Sequence, residues 1–558
     1  MKFDFSEETL QQVDESKDLR LDALHLNQRV AKGVNLLQDI SLSINAREFV
    51  AIVGVSGAGK STLLDTLNGF RPATEGAVMV NGSNLYRNFD AYRTNLGYVP
   101  QDDIIHKELT VQSALEYAAR LRLPSDMTPA ERRDRVEDVM QTLGLAARRD
   151  VPIVRLSGGQ RKRVSIGAEL LTRPALFYLD EATSGLDPGT ESQMMRLLRK
   201  LSDEGHTILL ITHATKNVML CDQVVFLAAG GNLAWFGPPD EALKHFEVDD
   251  FDGIYEKLED ELSPEEWAER YRRSDAYRRC VAERLNSHYG DQVAAGAGTL
   301  PSTPRSAIQP AKRPESAPGN ASMLRQFWIL SSRYLSIIRR DRVNLALMFL
   351  IAPLLGAIDL IAWDRTVLDP DVGSVNTSMT MLFMGSLIPF LVGALTSVRE
   401  IVKESPIYRR ERTVTLKIVP YLSSKIWVGF LFALYHAAAF FALKMLAVDF
   451  SQSSTTELAQ MYGTLALATM SGVMWGLLIS AVVPRDDQAM VLVSGVVVVQ
   501  MVFSGGLLPL SGLGVVGLVL GSITSTKWVF EALTSAAGVV KGDCFVPPAE
   551  TLANCQMP

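Results

Sequence analysis

Five long apolar blocks in the C-terminal part of the chain constrain its fold more than any other feature. They run approximately over Val343–Trp363, Ser378–Val398, Ile426–Val448, Met461–Val483 and Gln488–Leu507. Each block is long enough to cross about 30 Å of hydrocarbon as a helix that rises about 1.5 Å per residue. Residues 343–558 are therefore predicted to form an all-α, polytopic transmembrane domain.

The end of this domain has an irregular pattern. The nearly uncharged stretch Gln488–Thr526 would be about 58 Å long as a single helix. Ser504-Gly505-Gly506 and Pro509 would break such a helix near its middle. We predict one full span followed by a short re-entrant segment, with a sixth crossing within Gly512–Ser525 as the alternative.

The loops indicate how the spans are oriented. The loop between the third and fourth blocks, DFSQSSTTELAQ, has no Lys or Arg, whereas the loop between the second and third is basic. The basic residues are Arg399, Lys403, Arg409, Arg410, Arg412, Lys417 and Lys425. Cytoplasmic loops carry the excess of Lys and Arg. The basic loop between the second and third blocks is therefore predicted to be cytoplasmic, and the loop between the third and fourth blocks to lie outside. Lys444 is predicted to snorkel to the outer interface, and His436 to pack among helices.

The N-terminal part has the composition of a charged, soluble protein in which β and α segments alternate. Such alternation predicts a mostly parallel sheet with helices on both faces, which we assign to residues 1–245. The start, MKFDFSEETL, lacks the apolar core of a signal peptide, so the N-terminus is expected to stay in the cytoplasm. The predicted strands are Phe49–Val53, Gly76–Val80, Ala175–Leu179 and Thr207–Ile211, and the predicted helices include Thr110–Arg122 and Thr190–Ser202.

Three segments connect the two parts. Residues 246–285 are acidic and dotted with aromatic residues and are predicted to form a helical extension. Residues 286–321 are rich in Pro, Ser, Ala and Gly, which predicts a disordered linker. Residues 322–342 combine apolar residues at helical spacing with several arginines, which predicts an amphipathic helix on the inner membrane surface. A packed soluble helix is the alternative for this last segment.

Charge excludes one class of partner. The formal net charge is −7, whereas domains that bind the phosphate backbone of nucleic acid carry a basic excess. We therefore expect no nucleic-acid partner.

A phosphate-binding motif follows the first predicted strand. The run Gly54-Val55-Ser56-Gly57-Ala58-Gly59-Lys60-Ser61 matches G-x-x-x-x-G-K-[ST], and a helical pattern begins directly after it. Glycines let the backbone wrap closely round phosphate, Lys60 neutralises charge and Ser61 can ligate Mg²⁺. The predicted nucleotide-binding residues here are Gly54, Ser56, Gly57, Ala58, Gly59, Lys60, Ser61 and Thr62.

Two carboxylates end the predicted strand Ala175–Leu179. Asp180 is placed to hold Mg²⁺ through water, and Glu181 to polarise an attacking water as a general base. Together with the phosphate-binding loop, this pair indicates a nucleotide hydrolase that uses ATP and Mg²⁺.

The run Leu156-Ser157-Gly158-Gly159-Gln160 precedes these carboxylates. With it, the N-terminal part resembles the ABC ATPase family, for which L-S-G-G-Q in this order is diagnostic. The resemblance implies that Gln101 is the Q-loop glutamine and a Mg²⁺ ligand. It also implies that Asp187 belongs to the D-loop, and that His213 is the catalytic switch histidine.

The same resemblance implies a head-to-tail pair of ATPase domains. ATP on the P-loop of one subunit would be capped by Ser157, Gly158, Gly159 and Gln160 of the other. ABC domains usually stack an aromatic side chain on adenine, but Leu21–Asn45 contains no Phe, Tyr or Trp. The source of adenine stacking is therefore left open.

The order of the domains narrows the resemblance. An ATPase domain before the membrane domain, the run 180–187 and the charged stretch 399–425 resemble the G subfamily of White-type half-transporters. This implies an integral membrane protein that pairs with a second half-transporter, as a homodimer or a heterodimer. It would export or flip a lipid or hydrophobic small molecule. A non-transport membrane ATPase acting in remodelling or signalling is the alternative.

The subfamily also implies features of the membrane domain. Its members have six spans, the last after a large outer loop, whereas this sequence stops soon after Cys555. The final span is therefore expected to be absent, and Cys544 and Cys555 could then form a disulfide outside the cell. The second and fifth spans line the substrate path in the family, which points to Phe383, Phe390, Val497, Gln500, Met501 and Phe503.

Overall fold

The computed structural model describes residues 2–4, 11–13, 18–30, 34–213, 215–289, 322–369, 372–451 and 453–539. The chain divides into two compact units, Met1–Ala321 and Ser322–Pro558. The second unit begins at the residue where the sequence places the start of the amphipathic helix.

The first unit is built on a ten-stranded mixed sheet. Its strands are β3 (Leu21–Arg29), β4 (Asn35–Ile44), β5 (Phe49–Gly54), β6 (Glu75–Val80), β7 (Ser83–Asn84), β8 (Leu96–Val99), β9 (Leu176–Asp180), β10 (Thr207–Ile211), β11 (Gln223–Ala228) and β12 (Asn232–Gly237). Strands β1 (Lys2–Asp4) and β2 (Gln11–Val13) form a separate antiparallel pair. The spatial order of the large sheet is β7-β6-β3-β4-β12-β11-β5-β10-β9-β8.

The predicted mostly parallel sheet is correct for only one part of this sheet. Strands β11, β5, β10, β9 and β8 pair in parallel, whereas β3, β4, β6 and β7 pair antiparallel. The prediction relied on the alternation of β and α segments, which is typical of parallel strands joined by helices. Strand β3, LDALHLNQR, mixes polar and apolar residues and shows no continuous apolar run.

Parallel pairing brings the functional motifs to one edge of the sheet. Strands β5, β9 and β10 lie side by side, and Ile211 of β10 pairs with both Ile52 and Asp180. Because the carboxyl ends of parallel strands meet at one edge, the loops that follow these strands lie close together.

The helices of the first unit are α1 (Lys60–Leu67), α2 (Phe89–Tyr92), α3 (Val111–Arg122), α4 (Pro129–Thr142), α5 (Gly158–Leu170), α6 (Pro188–Asp203), α7 (Pro239–Phe246), α8 (Phe251–Asp260), α9 (Pro264–Arg272), α10 (Asp275–Tyr277) and α11 (Glu283–Tyr289). Thr110 caps α3 and Asp187 caps α6, where Pro188 occupies the first helical turn. Because Thr110 is the cap, the predicted helix Thr110–Arg122 begins one residue before α3. Because the cap of α6 is Asp187, the predicted helix Thr190–Ser202 begins two residues after the start of α6.

The predicted helical extension packs into the core of the first unit. Trp267 and Tyr271 of α9 are fully buried, and the Tyr271 hydroxyl donates to the Phe236 carbonyl at 2.6 Å. The final helix is held by a polar network, in which the Tyr289 hydroxyl donates to the buried Asp22 carboxylate at 3.0 Å. The first four residues of the predicted linker therefore belong to α11, and residues 290–321 lie outside the described residues.

The second unit is helical. Its helices are α12 (Met323–Arg340), α13 (Arg342–Gly356), α14 (Asp359–Ala362), α15 (Val375–Ser397), α16 (Ser405–Val414), α17 (Ile418–Ala447), α18 (Thr455–Val482), α19 (Asp486–Val502), α20 (Gly514–Ile523) and α21 (Ser525–Ala536). Within the described residues, four helical segments are long and apolar enough to cross a membrane. They are Arg342–Ala362, Val375–Thr413, Ile418–Ala447 and Thr455–Val482.

The fifth apolar block forms shorter helices than predicted. Helix α19 has 17 residues, and the chain leaves helical geometry after Val502, in a segment where Gly505 has φ 83°. Helix α20 has ten residues, about 15 Å, which is half the thickness of the hydrocarbon core. The re-entrant segment and the alternative sixth crossing both stay predictions. Cys544 and Cys555 lie outside the described residues.

The prediction for Lys444 was wrong. The side chain does not snorkel outward but is buried, and its ammonium lies 2.8 Å from the Asp359 carboxylate. The Trp363 indole also donates to Asp359, at 2.8 Å. A buried carboxylate needs a cationic partner, which the position of Lys444 in the sequence could not reveal. His436 is buried and its ring bonds the Met348 carbonyl at 2.7 Å, in agreement with a packing role.

Candidate functional site

The phosphate-binding loop connects β5 to α1. Gly54, Gly57 and Gly59 have φ values of 149°, 77° and 92°, which side chains rarely allow. A Cβ on Gly54 would lie 2.3 Å from the Leu227 carbonyl oxygen, and one on Gly59 would lie 2.5 Å from that of Leu36. Gly57 has open space beside it. The loop is therefore anchored at both ends and open in its middle.

Lys60 and Ser61 stand at the start of α1, as the motif predicts. The Lys60 ammonium donates to the carbonyls of Gly54 and Val55 at 2.9 and 3.0 Å, so it curls back over the loop. Burial lowers the pKa of Lys60, while Glu181 and Asp180 oppose that shift. The Ser61 hydroxyl donates to the Asp180 carboxylate at 3.4 Å. Ser56 is exposed, Ala58 is buried, and Thr62 lies half-buried in the first turn of α1.

Glu181 is the meeting point of two other predicted residues. The Gln101 amide donates to one Glu181 carboxylate oxygen at 2.9 Å, and His213 Nε2 lies 3.3 Å from the other. Glu181 itself has φ 47°, a strained value for a residue with a side chain. The structure thus brings Gln101, Glu181 and His213 together, with Asp180 adjacent in sequence.

The Asp180 carboxylate is electrostatically unfavourable in the free protein. Burial, followed by the negative charges of Glu181 and Asp65, raises its pKa to about 6. A cation beside Asp180 would relieve this repulsion, because an opposite charge favours the ionised form.

The signature motif stands at the start of α5. Ser157 caps the helix through a capping box, in which its hydroxyl accepts from the Gln160 amide at 3.4 Å and the Gln160 side chain accepts from the Ser157 amide at 3.2 Å. Gly159 lies against Thr190 of α6 so closely that a Cβ would be 2.4 Å from the Thr190 methyl carbon. Ser157 is exposed. Among the described residues, no hydrogen bond or ion pair joins Ser157–Gln160 to the P-loop.

Asp187 has a local structural contact. Its carboxylate accepts from the amides of Gly189 and Thr190 at 3.1 and 3.0 Å and caps α6. A hydrogen bond with the Thr190 side chain, together with those from the two amides, holds the pKa of Asp187 below its usual range.

Two residues near the site were missed by the sequence analysis. Lys162 of α5 bonds the Gln101 carbonyl and lies 3.6 Å from Asp103, so it anchors the loop that carries Gln101. Tyr255 of α8 lies against the backbone amide of Gly54, and burial raises its pKa to about 12. Neither residue belongs to a recognisable motif, so only the fold could reveal them.

The residues suggested for a substrate path are mostly packed in the second unit. Phe383 and Phe390 are buried. The ring of Phe383 packs edge-on against that of Phe530, with 6.0 Å between the ring centroids. Gln500 is buried and accepts from the Thr526 hydroxyl at 2.9 Å. Val497, Met501 and Phe503 are half-buried.

Comparison with known proteins agrees with this architecture. Residues 37–184 match the family described as ABC transporter, and residues 325–537 match the family described as ABC-2 type transporter. An ABC transporter ATP-binding/permease protein of Mycobacterium tuberculosis is 31% identical over 519 residues, which cover 91% of this chain and 56% of that protein. ABC transporter G family member 22 of Dictyostelium discoideum is 26% identical over 501 residues, which cover 86% of this chain and 79% of that protein.

Other relatives match a shorter part of the chain. A broad substrate specificity ATP-binding cassette transporter of Bos taurus is 40% identical over 205 residues, which cover 35% of this chain and 31% of that protein. The chain thus spans about half of the mycobacterial protein and about a third of the bovine one. A solved dimeric ATP-binding cassette bound to ADP and Pi is 26% identical, with a TM-score of 0.36, and the match covers 39% of this chain and 98% of that one.

The fold and the site define a P-loop ATPase of the ABC class, followed in the same chain by a helical membrane domain. The chain belongs to the ABC transporter family and is similar to members of its G subfamily.

Proposed function

We propose that two copies of this chain form an exporter that uses ATP hydrolysis to move or flip a lipid or hydrophobic small molecule outward. One observation carries the pairing. Ser157 is exposed at the start of α5 and, among the described residues, forms no hydrogen bond with the P-loop of its own chain. A hydroxyl and glycine amides at a helix start suit a phosphate, so a second copy would complete the site.

Each residue then has a defined task. Lys60 and the P-loop amides bind the ATP phosphates, and the signature residues of the second copy bind the γ-phosphate. Glu181 accepts a proton from the attacking water, while Gln101 and His213 orient the Glu181 carboxylate through the contacts described above. Asp187 holds the start of α6, against which the signature glycines pack.

The residues present fit a magnesium ion. The Ser61 hydroxyl and the Asp180 carboxylate lie 3.4 Å apart, and burial together with nearby negative charge raises the pKa of Asp180, which a bound cation would oppose. We propose Ser61, Asp180 and Gln101 as the residues that hold it. Bound Mg²⁺ neutralises the negative charge of the transferred phosphate.

Binding of Mg²⁺-ATP is expected to weaken as the pH falls through about 6, by about tenfold per unit, because Asp180 takes up a proton. The folded-state pKa lies above the ordinary value of 3.8, so the carboxylate repulsion is absent in acid and develops as the pH rises through 6. Titration of a fluorescent ATP analogue at a series of pH values measures this slope.

The Asp180→Asn variant is the control for this titration. It has no carboxylate to protonate, so any slope that remains belongs to the nucleotide itself. Equal slopes in the two proteins would contradict the assignment of Asp180.

Complementation tests the pairing. Lys60→Met removes P-loop function and Ser157→Arg blocks the signature, so each homodimer should be inactive. A heterodimer isolated with two different tags has one site with both defects and one intact site. ATP occlusion at one site per heterodimer is expected, and its absence would contradict a shared site.

Transport itself is tested in proteoliposomes. Outward movement of a fluorescent phospholipid analogue should require ATP and should stop in the Glu181→Gln variant. ATP hydrolysis without movement of any lipid or hydrophobic probe would favour a membrane ATPase with another role. The bovine relative is named for broad substrate specificity, which supports the use of several unrelated probes.

A further inference from the structure

Helix α12 has two faces of different character. Its buried face packs within the second unit, where the Arg333 guanidinium forms a bidentate pair with Glu411 at 2.5 and 2.9 Å. The opposite face exposes Leu324, Trp328 and Leu335, whose side chains are 73%, 61% and 41% accessible. A soluble surface rarely keeps such a row of large apolar residues exposed.

The exposed face ends in basic residues. Arg339, Arg340 and Arg342 are all exposed. Among the described residues, no acidic side chain forms an ion pair with Arg339 or Arg342. Helix α12 contains no Asp or Glu, and Asp341 caps the next helix by accepting from the Asn344 amide at 3.1 Å. The local charge is therefore strongly positive.

The position of these arginines is fixed by the helix that follows. Asp341 has ψ 83°, so α12 ends there, and the first candidate membrane span begins at Arg342. The arginines therefore lie where the chain enters the hydrocarbon. Trp328 is one helical turn from Leu324 and two turns from Leu335, and Arg339 follows Leu335 by one turn, so all four side chains share one face.

We propose that this face of α12, formed by Leu324, Trp328, Leu335 and Arg339, together with Arg342 at the start of α13, binds anionic phospholipid headgroups of the inner leaflet and that this binding stimulates ATP hydrolysis. The inference rests on the proposed function for its readout of hydrolysis. The apolar side chains enter the acyl boundary, and the guanidiniums bind the phosphates with paired hydrogen bonds. Each arginine near an anionic surface strengthens such binding about fivefold.

The test compares full-length protein in phosphatidylcholine vesicles with and without phosphatidylglycerol. Phosphatidylglycerol is expected to raise the hydrolysis rate severalfold in the wild type. The Arg339→Gln/Arg342→Gln variant should keep the rate seen in pure phosphatidylcholine and lose the stimulation. Arg339→Lys/Arg342→Lys should keep most of the stimulation, because the charge remains.

The matched control is Arg87→Gln/Arg133→Gln, which removes two exposed arginines of the first unit. It should respond to phosphatidylglycerol as the wild type does. Equal stimulation of the wild type and the Arg339→Gln/Arg342→Gln variant would overturn the proposal, as would an equal loss in both Gln variants.

A second measurement separates lipid binding from hydrolysis. Quenching by brominated phosphatidylglycerol, taken as the difference between wild type and Trp328→Phe, should exceed quenching by brominated phosphatidylcholine. The excess should disappear in the Arg339→Gln/Arg342→Gln variant and at high ionic strength. Excess quenching of the wild type by brominated phosphatidylglycerol without any stimulation of its hydrolysis would refute the ATPase role alone. Equal quenching of the wild type by both lipids would refute the lipid surface.

Discussion

Replacement of Glu181 with Gln is expected to lower the rate of ATP hydrolysis by about 10²- to 10⁴-fold, because general-base catalysis contributes about that much. The substitution keeps the shape of the side chain and can keep both contacts, to the Gln101 amide at 2.9 Å and to His213 at 3.3 Å. ATP binding should therefore persist, and the nucleotide should accumulate between two chains. Phosphate release measures the first effect, and retention of ATP on a dimer in size-exclusion chromatography measures the second.

The control for this variant is Glu204→Gln. Glu204 follows α6 and precedes β10, at the opposite edge of the sheet from Glu181, and its side chain is about half exposed. Hydrolysis should be unchanged. Hydrolysis by Glu181→Gln at the wild-type rate would contradict the role of Glu181 as general base, and a lowered melting temperature would indicate a folding defect instead.

Replacement of Lys425 with Met is expected to lower the free energy of unfolding of the second unit by about 3–5 kcal/mol. The Lys425 ammonium is buried, 2.9 Å from Glu404 and 3.5 Å from Glu400, and stands 3.7 Å above the Tyr334 ring. Without it, two buried carboxylates lose their counter-charge. Thermal unfolding of the purified protein in detergent measures the loss.

A neighbouring lysine provides the control. Lys403 also pairs with Glu400, at 2.8 Å, but its side chain is 36% exposed whereas that of Lys425 is 2% exposed. Ion pairs that water reaches contribute only about 0–1 kcal/mol. Lys403→Met should therefore have little effect on the unfolding temperature. Lys425→Met/Glu404→Gln should recover part of the lost stability, and equal unfolding temperatures for Lys425→Met and Lys403→Met would contradict the prediction.

The sequence predicted the parallel centre of the sheet closely. Strands Phe49–Gly54 and Thr207–Ile211 lie within one residue of their expected bounds, because continuous apolar runs identify strands that are covered on both faces. The strand Gly76–Val80 was predicted, but the antiparallel pairing of this part of the sheet was missed. Strand β3 buries polar residues such as Asp22, whose partners Ser43 and Tyr289 lie far along the chain.

Motif order gave most of the candidate nucleotide site but not its internal contacts. Lys60, Ser61 and Asp180 meet as the motifs imply, whereas the anchoring of the Gln101 loop by Lys162 depends on how α5 packs. In the second unit, the sequence shows the candidate spans as apolar blocks. It does not show where α19 ends or that Lys444 is buried.

The sequence by itself determined the class of the protein, because phosphate binding, metal ligation and membrane insertion each need particular residues at short, fixed spacings. Only the tertiary structure decided which charges are buried in pairs, such as Lys444 with Asp359 and Lys425 with Glu404. It also decided that the predicted helical extension belongs to the ATPase core. The physical reason is that burial and pairing depend on contacts between residues far apart in the chain, and no local pattern encodes those contacts.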